Sequence, residues 1–539
     1  MPREHGYLCA LMPVERIPYA DTGRFADPVL DHLAGDPFIR QFLELPADVA
    51  GLKQAAAARS FDPDFRTILC SALDAQHSTL ELHSEVRASL RKLRDPKCLT
   101  VTTGHQLCLF TGPLYVPYKI LNTIRLALEA EGLLGRPVVP VFWLASEDHD
   151  AAEIDHAVIN GRTIRWSGAV GGAVGRMKLT SITAQVEEAI EAIGPGTESA
   201  TLANALREAY TEERTLAEAT RHFLHALFGR YGLVILDGDD PALKRLFAPI
   251  IAEELVNQVG ERSVAYANDK MRERYTPQAH AREINLFHLR KDHRSRIVRD
   301  GDHYQVLDDG PRWTLEELLV RVESRPEEFS PNVVLRPVYQ EHILPNIAYI
   351  GGGGELAYWI QLRWLFQALR VPIPVLFLRT SAATISAKHI RQWNALGLTT
   401  KDLFGDLATL QAQVAQRDAP FRTDLGVERA AIEGAYRDVL ATATRADASL
   451  SGSVEARRAQ ALRGLERLEK GLLRAAKRDQ AVALNRMDTI KAALFPGGGL
   501  QERRDSILPR IAAEGLVALD NWKDVLDPLD PTFVVVVEP

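Results

Sequence analysis

Glu147, Asp148, His149, Asp150, Glu153, Asp155 and His156 fall within ten positions of one another in the stretch VPVFWLASEDHDAAEIDH, residues 139–156. Carboxylates and imidazoles at that density can bind an amine, position a metal or move protons. The acids emerge where the apolar run PVVPVFWLAS stops, as they would at the carboxyl end of a buried strand. Acids also favour the first turn of a helix, which is the purely structural role open to them. His149, Glu153 and His156 stand at i, i+4 and i+7, so a continuing helix would put them on one face, where they could ligate zinc. That spacing is not H-E-x-x-H, and no metal ligand is assigned.

Two further segments carry candidate chemistry. In TVTTGHQLCLFTGPLYVPYKI a strand ends at Thr103, a turn containing Gly104 follows, and a helix starts near Val116. Backbone amides in such a turn, with a helix N-terminus behind them, can cradle phosphate or carboxylate. His105 and Gln106 would face the crevice, and Lys119 sits one turn into the helix. The turn is neither G-x-G-x-x-G nor a Walker loop, which counts against hydride transfer and P-loop chemistry. Cys108, between Leu107 and Leu109, reads as packing. In NIAYIGGGGELAYWIQLRW, Gly351, Gly352, Gly353 and Gly354 lie between a strand and a helix and would let a ligand approach the backbone. Glu355 suits the helix start and could grip an amine or a ribose hydroxyl. Tyr358 reads as core or pocket wall. Upstream, Arg336 is a partner for a carboxylate or phosphate near the end of a further strand candidate, PNVVLRPVYQ.

The elements that must position these groups alternate. CLTVTTG, PVVPVFWLAS, YGLVILDGDD, PNVVLRPVYQ, NIAYIGGGG and PIPVLFLRT read as buried strands, and amphipathic helices lie between them. Apolar strands alternating with helices predict a doubly wound α/β core, a mostly parallel sheet covered on both faces. Ligands of such folds sit beyond the carboxyl ends of the strands. Residues 1–97 form an N-terminal helical part packed on the core. The core spans 98–400, with insertions near 161–200 and 260–330, the latter hairpin-like around Asp300-Gly301. Residues 401–495 form a long helical hairpin with coiled-coil character, in which Leu462, Leu465, Leu468 and Leu472 recur at three or four residues. The tail 496–539, ending in TFVVVVE, returns to the core.

The 539 residues exceed one ordinary core. A net charge of −7 argues against nucleic acid as the main partner. Four cysteines without a C-x-x-C pair fit a reducing cytoplasm rather than a disulfide framework. No stretch approaches the roughly 20 apolar residues that span a bilayer, and the N-terminus lacks a signal-peptide core, so no membrane is expected.

Taken together, TTGHQLCLFTGPLYVPYKI, PVFWLASEDHDAAEIDH and NVVLRPVYQEHILPNIAYIGGGGELAYWIQL resemble the bacillithiol biosynthesis cysteine-adding enzymes. The resemblance implies a Rossmann-like core with connecting insertions, similar to class I aminoacyl-tRNA synthetases. It also implies an antiparallel coiled-coil arm that builds a homodimer. The implied reaction is that of a cysteine ligase, joining the carboxyl of L-cysteine to the amine of glucosaminyl-malate. By analogy with the synthetases, ATP would form a cysteinyl adenylate that the amine attacks, leaving a nucleotide site for ATP or ADP. The synthetase His-x-Gly-His turn is matched here by a single histidine, His105, and the Lys-Met-Ser-Lys-Ser loop by Lys388 alone. On this basis His105 and Gln106 would contact phosphates or the cysteine carboxylate. Glu147, Asp148 and His149 would bind or deprotonate the amine, and the glycine run with Glu355 would hold the nucleotide. Two other readings are a metal-dependent hydrolase or transferase built on EDHDAAEIDH, and a non-catalytic nucleotide-binding coiled-coil scaffold.

Overall fold

The computed structural model describes residues 13–168 and 171–538 and divides into two compact units. One comprises Met1–Ala383 with Gln501–Val534, the other Thr384–Leu500 with Val535–Pro539. Cys9 and most of the stretch read for a signal peptide lie outside the described residues. No helix among those described is long and apolar enough to cross a membrane.

The first unit is built on five parallel strands: β1 (Leu99–His105), β2 (Val138–Leu144), β3 (Val234–Asp237), β4 (Asn346–Gly351) and β5 (Val375–Leu378). Their order across the sheet is β5-β4-β1-β2-β3, all pairs parallel. β2 is buried at all seven positions, which is why it reads as a continuous apolar run. Successive strands step outward from β1 through β2 to β3, and the chain then crosses to the other side of β1 to form β4. The order therefore reverses between β1 and β4, and their carboxyl ends flank a crevice of the kind that binds ligands in open α/β sheets.

Helix α1 (Tyr115–Leu134) crosses from β1 to β2 and ends at Gly135, which adopts φ +62 as a left-handed cap. Its Leu126, Ala127 and Ala130 pack with Leu52, Ala55 and Ala56 of the N-terminal helix Val49–Ala58 and with Val101, Ile347 and Ile350 of the sheet.

One expected strand is a helix. PNVVLRPVYQ contains only the end of the short strand Phe329–Pro331; Arg336–Ile343 is helical (α2). Asn332 turns the chain, its Oδ1 accepting from the amides of Val334 and Leu335 at 2.9 and 3.2 Å. Pro337 in the first turn suits a helix start, so local capping overrides the β preference of Val333-Val334. Arg336 thus opens a helix instead of closing a strand.

Between β2 and α2 lie two antiparallel additions. His156–Ile159 pairs with Arg162–Arg165, and a five-stranded sheet runs in the order Arg312–Thr314, His303–Val306, His293–Asp300, Leu286–Arg290, Phe329–Pro331. In the second unit, helices Gly426–Ala446 and Ser451–Asp479 are joined through the turn Ala448–Leu450. Arg429, near the start of the first, pairs with Glu469, late in the second, at 3.0 Å, so the two run antiparallel. Leu465 and Ala476 are buried in the longer helix, but Leu468 is 62% exposed and stands off the seam expected for it.

Candidate functional site

A cavity of about 610 Å³ lies over the carboxyl ends of β1, β2 and β4. His105, Gln106, Lys119, Glu147, Asp148, His149, Arg336, Glu355 and Tyr358 all line it, as do Gly104 and Gly352–Gly354. Thr103 and Gly351 do not. Thr103 Oγ1 donates to the Ile350 carbonyl at 2.7 Å, tying β1 to β4. A Cβ on Gly351 would meet Leu356 Cδ1 at 2.5 Å, so that glycine serves helix-on-strand packing.

Lys119 is buried beneath the crevice floor, its ammonium donating to the Gly104 carbonyl and to Glu355 Oε2 at 2.7 Å. Glu355 also accepts from the Gly352 amide at 2.8 Å and the Tyr349 hydroxyl at 3.0 Å. Burial opposes its ionisation, but the Lys119 charge and these donors outweigh it and hold the carboxyl at about 2. Glu355 therefore caps helix α3 (Gly353–Trp359) and anchors Lys119, and the glycine run is most open at Gly354, where an added Cβ meets nothing within 4 Å. The folded-state value lies below the ordinary 4.5, so this pair's stabilisation is fully present above pH 4.5 and fades as pH falls toward 2. In acid unfolding, Glu355→Gln is expected to flatten the loss of stability between about pH 4.5 and 2; an unchanged slope would show that the pair contributes nothing.

His105 is kept neutral. Burial and the adjacent Lys119 charge lower its imidazole to about 4. Its Nδ1 lies 3.1 Å from the Gln106 carbonyl, so Nδ1 carries the proton and Nε2 is an acceptor. A neutral acceptor suits an amine or hydroxyl better than a phosphate.

The acids at the β2 tip separate into two roles. Glu147 is buried and paired with Lys244 Nζ at 2.7 Å, and the same ammonium holds Asp239 at 2.7 Å. Asp148 faces the cavity, 30% exposed at its side chain, with Gln106 Nε2 at 3.4 Å and Arg294 at 3.6 Å. His149 Nδ1 accepts from Arg294 Nη1 at 2.9 Å. The loop that carries them is fixed from behind: Gly175 N donates to the Ser146 carbonyl at 2.7 Å and Val174 N to the Asp148 carbonyl at 2.8 Å. A Cβ on Gly175 would sit 2.3 Å from Ser146 Cβ, which explains a glycine in GGAVGRMKL. The helix expected to align His149, Glu153 and His156 lasts only from Ala151 to Ile154, and His156 begins a strand. Among the described residues no group of three or more His, Cys, Asp or Glu is arranged to hold a metal. Cys108 is buried and its thiol is pushed up to about 12 by that burial, consistent with packing.

The cavity also contains what sequence reasoning missed: Arg282, Arg294, Arg296, Arg379 and Arg503. Arg294 lies over the Phe287 ring at 4.0 Å and donates to the Pro331 carbonyl at 2.9 Å. Arg296 Nε is buried without a hydrogen-bond partner. Arg379 is held bidentately by Glu502 at 2.7 and 2.8 Å. With Lys119 and Arg336 the lining has seven cationic side chains against three carboxylates, Glu147, Asp148 and Glu355. The His293–Asp300 strand gave a signal, since Arg294 and Arg296 share one face at period two.

A parallel α/β core with a cationic crevice at the strand tips, beside a half-exposed acid and a neutral histidine, is the arrangement of an α/β enzyme. Comparison gives the family. The N-terminal Rossmann-like domain model of bacillithiol biosynthesis BshC matches residues 12–380, and the C-terminal coiled-coil domain model of BshC matches residues 382–538. The chain belongs to the BshC family. It is 35% identical to "Putative cysteine ligase BshC" of Flavobacterium psychrophilum over 97% of this chain and 99% of that protein. The protein of that name from Cytophaga hutchinsonii is 37% identical over 92% of this chain and 93% of its own length.

Proposed function

We propose that this protein is a cysteine ligase of bacillithiol synthesis, forming an amide between the carboxyl of L-cysteine and the amine of glucosaminyl-malate. The names of its relatives support cysteine ligation. The observation that carries the rest is the cation surplus of the crevice in a chain of net charge −7. Such a surplus matches the two carboxylates of a malyl group together with a nucleotide polyphosphate. In this reading ATP and cysteine form a cysteinyl adenylate and release pyrophosphate. The amine then attacks the acyl carbon, the C–N bond forms, the C–O bond to AMP breaks, and Asp148 takes the amine proton. His105 Nε2 orients the amine, and the Gly352–Gly354 backbone borders the nucleotide.

Incubation with cysteine, glucosaminyl-malate and ATP should yield the product thiol and AMP by mass spectrometry. Product accompanied by ADP would refute the adenylate, and absence of product would refute the reaction. Three free cysteines, Cys70, Cys98 and Cys108, support a reducing cytoplasm as its place of work. The exposed Val427, Val439 and Leu468 of the helical pair support a homodimer formed through the arm. Sedimentation at twice the chain mass is expected, and a monomer at micromolar concentration would exclude that pairing.

A further inference from the structure

A second cavity, of about 580 Å³, adjoins the first; His105, Gln106, Tyr115 and Arg503 line both. Its character differs. The first is dominated by cations, whereas the second joins an acid from the helix after β2 to guanidinium groups from a distant segment. Glu153 has no cationic partner among the described residues; Gln106 Nε2 alone reaches its carboxylate, at 2.6 Å. Burial and the nearby Asp150 and Asp148 push that carboxyl above its ordinary value, an imbalance that a bound cation would relieve. Arg503 and Arg504 have no carboxylate in ion-pair contact among the described residues, and Arg503 rests over the Tyr115 ring at 5.7 Å. The rest of the wall is His156, whose Nδ1 lies 2.9 Å from Asp155 Oδ1, and a small apolar part formed by Pro113, Ala152, Ala157 and Val158 around Cys108.

Charges of both signs without an ion-pair partner among the described residues, facing a chamber with a small apolar wall beside Cys108, complement a zwitterion with a short uncharged side chain. We propose that this chamber is the amino-acid subsite, binding L-cysteine with its ammonium at Glu153 and its carboxylate toward Arg503 and Arg504. The proposal rests on the ligase reading above and adds to it a division of labour. The amino acid enters one cavity, while the anionic amine substrate and the nucleotide occupy the other. The cysteine carboxyl then sits at the walls common to both cavities, His105, Gln106, Tyr115 and Arg503, where ligands of the two can meet.

The test is calorimetric titration of the full chain, wild type, Glu153→Gln and Arg504→Ala, with L-cysteine and with 3-mercaptopropionate, which lacks the amine. Both substituted side chains are exposed, so folding should be spared. Glu153→Gln and Arg504→Ala are each expected to raise the Kd for L-cysteine about tenfold, as loss of a charged hydrogen bond does. 3-Mercaptopropionate should bind wild type and Glu153→Gln alike. In turnover, KM for cysteine should rise in parallel while KM for the amine substrate stays within about twofold. An unchanged cysteine Kd in both variants, no cysteine binding to wild type at millimolar concentration, or an equal rise in both KM values would overturn the subsite. Because binding is read without turnover, a wild type that binds cysteine through Glu153 yet forms no amide would sink the ligase reading and leave the subsite standing.

Discussion

Asp148→Asn is expected to lower kcat by about 10²–10⁴-fold, the range typical of a lost general base. Of the acids at the β2 tip, Asp148 combines access to the cavity with only long contacts to basic groups, His149 Nδ1 at 3.4 Å and Arg294 at 3.6 Å, whereas Glu147 is committed to Lys244 at 2.7 Å. An amine attacks only when neutral, and an amino-sugar amine is largely protonated near pH 7, so removing the proton acceptor should act on the chemical step. Asparagine keeps the shape of the side chain and an oxygen to accept from the His149 amide, which donates to Asp148 Oδ1 at 2.7 Å, and at a partly exposed position the change in folding free energy should stay within about 1 kcal/mol. Full activity in the cysteine and glucosaminyl-malate assay would remove Asp148 from the mechanism.

The second large effect concerns folding. Lys244 is 2% exposed and its ammonium bridges Glu147 and Asp239. Lys244→Met would leave Glu147 as a buried carboxylate without its cation and Asp239 with Arg176 alone. Removing one partner of a buried pair typically destabilises by about 3–5 kcal/mol, and urea unfolding should show a loss in that range. The loss should shrink as pH falls. Burial already raises the Glu147 carboxyl above its ordinary value, and without Lys244 the folded state would bind that proton more readily than the unfolded state. The double variant Lys244→Met with Glu147→Gln should recover part of the stability; a single variant as stable as wild type would mean that the buried cluster is dispensable.

The sheet and its crevice were legible because strands covered on both faces must be apolar throughout, and because the chemistry of such folds collects at their tips. Even there, reading by position alone assigned Thr103 and Gly351 to binding, although both face the neighbouring element, one hydrogen bonded to Ile350 and the other pressed on Leu356. Glu355 was read as a ligand for ribose or amine. Its N3 position in helix α3 and the Lys119 charge give it a structural task that its position in the cavity lining does not reveal from sequence. The arginines escaped notice for a different reason. On a short antiparallel strand a charged residue ordinarily marks the solvent side, and only the three-dimensional path of the His293–Asp300 strand turns Arg294 and Arg296 inward. Arg503 has no local pattern to reveal it, because its role depends on a segment more than a hundred residues beyond the last strand of the parallel sheet.

The crevice-bearing unit is discontinuous: Arg379 is fastened by Glu502, and the ring of Tyr118 of α1 lies tilted against Trp522, 4.8 Å between centroids. A ribosome emitting this polypeptide from its amino end must translate the Thr384–Leu500 part of the second unit before these clasps exist. The nascent chain would carry β1 to β5 with one wall missing, and ligand competence would arrive only as synthesis finishes. Truncated products, lacking that closing segment, would be inert toward substrate rather than partially active.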